Sequence, residues 1–447
     1  MARFGQNLLT CIHSKLTPNK EDSIMRKTRS TQFSVLSISS LLLVNLVFAA
    51  DIPRATPEEV GMSSERLEQI NTVIQRHMDA GDIQGAVTAV ARRGKLIHFE
   101  SHGLMDVQNN KAMQEDSIFI MMSSSKPVLG VAAMMMIEEG LIRPEDPISK
   151  YIPEFADMQV AVLNTPVDEN ISPRRIDREN LPEHRFVPSH REITIHDLLT
   201  HTAGLGTGGL GTLLQTQAPF PLPSDRTLET EMARYASGAL DFQPGSRWSY
   251  SGLVGLDVVA RIIEIVSGQA FDQFIKERIF EPLDMNNTWF NVPEEYRDRR
   301  VVIDGRDMSR FFDNSTNYFS ASAGLNSTAE DYLKFEQMLV NDGELFGNRL
   351  LSPRSIRMMG SDQAEGLYEG IGRVQDGLGF GYTVYVTEDP IAAGARRSAG
   401  AFGWMGAFGT RTWSDPEEEL TGVLFLQQPH GGTQYDFENA IQQAIIE

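Results

Sequence analysis

The chain has 447 residues, 41% hydrophobic, 22% charged and 8% aromatic, values ordinary for a soluble globular protein with material for a sizeable core. The formal net charge is −20; residues 1–49 hold six of the 40 basic and two of the 60 acidic side chains, leaving 34 against 58, a net of −24. So acidic a surface repels phosphate backbones and anionic lipid heads, which argues against a nucleic-acid or membrane-surface role. The single cysteine, Cys11, excludes a disulfide framework and a cysteine-ligated metal site, and it lies in a segment expected to be absent from the working protein.

That segment opens the chain. Arg26, Lys27 and Arg29 form a basic patch, an apolar run follows from Phe33 to Phe48, and Val47-Phe48-Ala49-Ala50 offers small residues for cleavage. This order describes a secretory signal peptide over 25–50. The run is about 16 residues long and includes several serines and Asn45, short and polar for a membrane-spanning helix. An uncleaved anchor is the alternative. Residues 1–24 precede the pattern and read as an upstream extension, with translation starting at Met25 and the working protein near Ala50 or Asp51. The expected location is periplasmic or secreted, with no stable membrane insertion after cleavage.

Ser63 is placed to cap a helix in which Leu67, Ile70, Val73, Ile74 and Met78 recur at helical spacing, ended by Gly81. Residues 86–91 and 95–100 read as a β-hairpin around Arg92-Arg93-Gly94. A second helix is expected over 123–139, closed by Gly140, and a third over 252–266, closed by Gly268. Between them, residues 154–192 are rich in Pro, Asn, Asp and Arg and read as a long loop or insertion. Near the end, 406–413 and 421–427 read as strands joined by Ser414-Asp415-Pro416, and 435–446 as a final helix. Elements from both chain ends therefore build one antiparallel sheet flanked by the N- and C-terminal helices. The domain spans 51–447: an α/β lobe of about 57–118 and 370–447, with a mostly helical lobe of about 119–369 inserted.

Ser123-Ser124-Ser125-Lys126 is the one S-x-x-K in the chain. On a helix, positions i and i+3 share a face, so hydroxyl and amine can meet. A serine hydroxyl needs a neighbouring base to become a nucleophile, and a helix N-terminus favours the negative charge that develops there. Alone, so short a motif has little specificity. Competing constellations are poor: there is no G-x-S-x-G, H-E-x-x-H or P-loop. G-x-G-x-x-G occurs at Gly204, Gly206 and Gly209 and at Gly206, Gly208 and Gly211, but without a clear strand before it; it reads as a flexible Gly-rich loop. His196 and His201 flank a turn and read as ties for loop backbone. Met134-Met135-Met136 reads as core filler.

The run Phe119 to Val128 around Ser123 and Lys126, followed by an apolar helix, resembles the active-site helix of the serine β-lactamase and penicillin-binding protein superfamily. The resemblance is closest to the branch of class C β-lactamases and family VIII esterases. Further segments match in order: Ile195 to Leu205, Pro244 to Ser251, and Ala323 to Tyr332. By this resemblance, which covers about 57–447, Tyr250 is the partner base of Ser123 and Lys126. It also implies that Trp404-Met405-Gly406 stands where β-lactamases carry Lys-Thr-Gly, and that the N–H groups of Ser123 and Ala407 form an oxyanion hole. Tyr250-Ser251-Gly252 stands for Tyr-x-Asn, with Gly252 in place of the asparagine. Trp404, Met405, Gly406 and Gly252 are thus the expected substrate-binding positions. Both departures remove polar recognition of a penicillin-like substrate, although Arg396 and Arg397 lie close in sequence and leave charge available. The resulting expectation is a serine hydrolase of small-molecule esters or amides, working through an acyl-enzyme and needing no metal or cofactor. The alternatives are a β-lactam or D-amino-acid peptide hydrolase and a non-catalytic binding or sensing domain. Oligomeric state is not legible.

Overall fold

Residues 51–164, 180–218, 225–303, 316–368, 370 and 376–447 are described by a computed structural model of the chain. The expected signal segment, 25–50, and the extension before it lie outside the described residues. Among those described, no helix is long and apolar enough to cross a membrane.

The sheet contains β1 (Gly85–Arg92), β2 (Lys95–Asp106), β3 (Lys111–Ala112), β4 (Leu378–Phe380), β5 (Tyr385–Thr387), β6 (Phe402–Met405), β7 (Arg411–Asp415) and β8 (Leu420–Phe425). All neighbours are antiparallel, in the order β4-β5-β6-β7-β8-β1-β2-β3. The β1–β8 pairing, from Val87 opposite Phe425 to Arg92 opposite Leu420, joins the two chain ends in the middle of the sheet. The β1–β2 hairpin turns at Arg93 and Gly94, both at positive φ (50° and 71°), which matches the right-handed twist of the strands it connects.

The helices that frame the site are α1 (Gln69–Asp79), α2 (Lys126–Glu138), α3 (Val254–Ser267), α4 (Ala329–Val340) and α5 (Gly431–Gln442). Ile70 and Ile74 of α1 and Phe437 and Ile441 of α5 pack on Val90, Trp413 and Leu424, covering one face of the sheet. Phe335 and Leu339 of α4 and Leu129 and Ala132 of α2 share a cluster with Val87, Ala89 and Phe425 on the other. Every β1 residue is consequently buried. Each large side chain so enclosed stabilises the fold by about 1.5–3 kcal/mol. His77 of α1 lies between Asp82 (2.7 Å) and Asp436 of α5 (3.0 Å), clasping the two terminal helices together.

The expected architecture is present, with local differences. Residues 406–410, read as the start of a strand, are instead the turn between β6 and β7; the Gly406-Ala407-Phe408 run is apolar enough to pass for a strand. The final helix starts earlier, at Gly431, because the His430 side chain accepts the Thr433 N–H and caps it. In the segment read as loop, Gln159–Leu163 pairs with His184–Pro188; residues 165–179 lie outside the described residues. The Gly-rich loop is not loose either. The Asp241 carboxylate accepts the N–H groups of Thr207, Gly209 and Thr212 and so occupies the donors a phosphate would need.

Candidate active site

Ser123 lies in a 3-10 turn, Met122–Ser125, that leads directly into α2. The residue before it, Met122, has φ +47°, a left-handed conformation costing roughly 1–3 kcal/mol for a side chain of this kind. The surroundings hold it there. Ser124 Oγ bonds Thr410 Oγ1 (2.9 Å), Thr410 Oγ1 also donates to the Met121 carbonyl (3.2 Å), and the Tyr332 hydroxyl of α4 donates to the Ser124 carbonyl (2.6 Å).

Lys126 and Tyr250 converge on the Ser123 hydroxyl. Tyr250 OH donates to Ser123 Oγ at 2.6 Å, and Lys126 Nζ lies 3.2 Å from the same oxygen. Ser123 and Tyr250 are partly exposed, whereas Lys126 is fully buried. Its remaining contacts are the carbonyls of Gly252 (2.8 Å) and Ser322 (2.7 Å). Carbonyls only accept, but a hydroxyl accepts or donates. The cage therefore fits an ammonium that donates three bonds, and equally a neutral amine whose lone pair receives the serine proton. Lys126 Nζ also sits 5.0 Å from the Tyr250 ring centroid.

The motif at 195–205 supports Tyr250 from behind. His201 is buried, and burial first, then the Lys126 charge, push its imidazole well below the usual histidine range. It stays neutral and ties loop backbone as expected: Nδ1 accepts the Ser251 N–H (3.4 Å), and its carbonyl accepts the Ser249 N–H (3.0 Å). Its ring meets Tyr250 edge-on at 4.9 Å.

The β6 side is aromatic. Trp404 is almost fully buried among Tyr250 (5.7 Å between centroids), Phe380 (5.3 Å) and Tyr385 (6.0 Å), and Trp248 and Tyr368 extend the same cluster. Met405 is partly exposed against it. The indole N–H groups of Trp248 and Trp404 have no hydrogen-bond partner among the described residues. Arg397, one of the two charges left open by the sequence, is buried; it pairs with Glu438 (3.1 Å) and donates to Tyr385 OH (2.5 Å). Its charge is thereby spent on the fold, while Arg396 is exposed to solvent.

Two expected substrate-binding positions also make contacts within the site. At Gly406 a Cβ would lie 2.2 Å from the Met121 carbonyl, so its smallness lets the β6–β7 turn close on the turn that carries Ser123. Gly252 supplies its carbonyl to Lys126. The Ser123 and Ala407 N–H groups, expected as the oxyanion hole, have no hydrogen-bond partner among the described residues, and Ala407 is exposed. Sequence reasoning missed Ser322 and Thr410. Ser322 directly precedes the matched Ala323-Gly324 segment, the one hint it gave.

Comparison with known proteins shows the family of the chain. The family model described as Beta-lactamase matches residues 70–445. A protein of Mycobacterium tuberculosis described as uncharacterized is 33% identical over 370 residues, 79% of this chain and 88% of that protein. Esterase EstB of Burkholderia gladioli is 27% identical over 410 residues, 84% of this chain and 94% of the esterase. Among solved structures, EstCE1, described as a hydrolase with promiscuous acyltransferase activity, is similar with a TM-score of 0.65 and 25% identity, covering 85% of this chain and 99% of that one. With a match this long, and relatives that include an esterase, the chain belongs to the β-lactamase family.

Proposed function

We propose that the protein is a serine hydrolase that cleaves uncharged carboxylic esters through an acyl-enzyme on Ser123. The observation that carries this reading is the convergence of Tyr250 OH (2.6 Å) and Lys126 Nζ (3.2 Å) on one partly exposed serine hydroxyl. Ser123 Oγ attacks the ester carbonyl while its proton passes to the Lys126–Tyr250 pair. The tetrahedral oxygen is received by the N–H groups of Ser123 and Ala407, each such donor being worth on the order of 3 kcal/mol. The pair returns the proton to the departing alcohol, and water, deprotonated by the same groups, then releases the acid. Similarity to Esterase EstB supports the ester as substrate.

β-Lactam or D-amino-acid peptide hydrolysis is the second reading. Trp404 in place of a lysine and the pairing of Arg397 with Glu438 weigh against it, because a substrate carboxylate finds no free cation in β6 or from Arg397. A silent binding domain would have no use for the strained Met122 or the caged Lys126. The test is hydrolysis of short p-nitrophenyl esters against nitrocefin. Faster ester turnover is expected, and nitrocefin turnover exceeding it would move the assignment to the second reading. Export belongs to the proposal on the strength of the basic and apolar pattern at 25–50. N-terminal sequencing of protein from the extracytoplasmic fraction should find a start near Ala50 or Asp51.

A further inference from the structure

A buried acid stands behind the lysine. Asp257, on the first turn of α3, is 1% exposed, and no ion pair among the described residues neutralises it. Burying a carboxylate costs several kcal/mol unless its oxygens are well bonded, and an apolar residue would fill the place more cheaply. Its oxygens are bonded. Asp257 accepts the Ser322 N–H (2.9 Å), the Ser320 hydroxyl (3.0 Å) and the Tyr318 hydroxyl. All three donors come from one short segment, 318–322. That segment carries the Ser322 carbonyl, which holds Lys126 Nζ at 2.7 Å. The other carbonyl holding Lys126, that of Gly252, lies just ahead of Asp257 on the approach to α3, and Ser322 Oγ donates to the neighbouring Leu253 carbonyl (2.6 Å).

We propose that Asp257 is the positioning residue of the site: it clamps segment 318–322 to the start of α3, and so fixes the two-carbonyl cage that aims Lys126 at Ser123. The network continues outward. Tyr318 OH also bonds Tyr235 OH, and the Arg226 guanidinium lies 3.6 Å over the Tyr318 ring. Burial pushes the Asp257 carboxyl upward, and the Tyr318, Ser322 and Ser320 donors pull it back. Asp257 touches neither Ser123 nor a substrate, so its effect runs wholly through Lys126. This inference rests on the acyl-enzyme reading of Ser123 but not on the identity of the ester.

The test measures the rate at which a fluorophosphonate labels Ser123, together with kcat and KM for an ester. Labelling reports the nucleophile even if no ester tried is a substrate, so failure of the ester reading and failure of this inference are separable. Asp257→Ala frees the segment, and a misplacement of about 1 Å at the reacting groups costs on the order of 100-fold. We expect a loss of that order in labelling and kcat, with KM unchanged. Asp257→Asn retains an oxygen for the Ser322 N–H and should recover most of it. Wild-type labelling by folded Asp257→Ala, or a loss confined to KM, overturns the inference. If Asp257→Ala does not fold, Tyr318→Phe decides: it keeps the ring and removes one donor to Asp257. Labelling slowed about 3- to 10-fold, the size of one ordinary hydrogen bond, supports the inference, and an unchanged rate overturns it.

Discussion

The two walls of the site are built on opposite principles, yet buried carboxylates back both. The lysine wall is polar: Lys126 is caged by Ser123, Gly252 and Ser322, and Asp257 anchors the cage. The β6 wall is aromatic and carries no free charge: Trp404, Trp248, Tyr368 and Phe380 pack around Tyr250. Behind it Glu336 of α4 accepts the hydroxyls of Thr412 (2.5 Å) and Ser414 (2.7 Å) on β7, and Thr412 is the cross-strand partner of Trp404. The contrast teaches where precision is needed. Proton transfer depends steeply on distance, so the polar wall is fixed by directional bonds; the aromatic wall supplies shape and dryness, which packing alone can hold.

Breaking the polar wall should cost the most. Ser123→Ala is expected to lower ester turnover by about 10⁴-fold or more, read as initial rates on a p-nitrophenyl ester. Tyr250→Phe keeps the contacts with Trp248 and His201 and removes only the hydroxyl. It should lower kcat by about 10²- to 10⁴-fold and leave KM within a few-fold, the signature of lost acid–base work. A larger rise in KM than fall in kcat would make Tyr250 a binding residue.

The aromatic wall should answer in stability. Trp404→Ala opens a cavity worth about 3–5 kcal/mol, measured by urea unfolding, while Trp404→Phe should lose less and retain activity. Gly406→Ala sharpens the border between the walls: its Cβ would press on the Met121 carbonyl, costing about 1–3 kcal/mol and slowing acylation. Wild-type stability in Gly406→Ala would show that the turn does not need this close approach.

An effect seen only as pH changes concerns Glu336. Burial raises its carboxyl from 4.5 to about 7. The folded state therefore holds a proton that the unfolded chain releases between those values. The stability this provides is full below about pH 4.5 and is lost as pH rises through 7. Glu336→Gln carries no such loss, so the variant should gain on the wild type by on the order of 1–3 kcal/mol between pH 5 and 8 in paired urea titrations. Parallel pH profiles for the two proteins would refute the assignment.

Much of this was legible in the sequence, for identifiable reasons. Alternating and helical periodicities placed the terminal helices, the β1–β2 hairpin and the sheet made from both chain ends. Ser123 and Lys126 are three apart, so local geometry alone could bring them together. Tyr250 is 127 positions beyond Ser123, and only the ordered family resemblance singled it out. What escaped was short or ordinary in type. Leu378–Phe380 and Tyr385–Thr387 have three residues each, too few to show a period. Gly406 was legible as a substrate-binding position only through the resemblance, and its close approach to the Met121 carbonyl was not. Asp257 sits inside the apolar run of α3, where one acid looks like a solvent-facing position, and Ser322 acts through its carbonyl, which any residue type possesses.

The most direct test of the central claim is an intact-protein mass spectrum taken seconds after mixing with a p-nitrophenyl ester, followed by peptide mapping. The expected result is a mass increase of one acyl group, carried by the peptide containing Ser123 and absent in Ser123→Ala. Undiminished ester hydrolysis by Ser123→Ala, or an acyl group mapped to another side chain, would contradict the account.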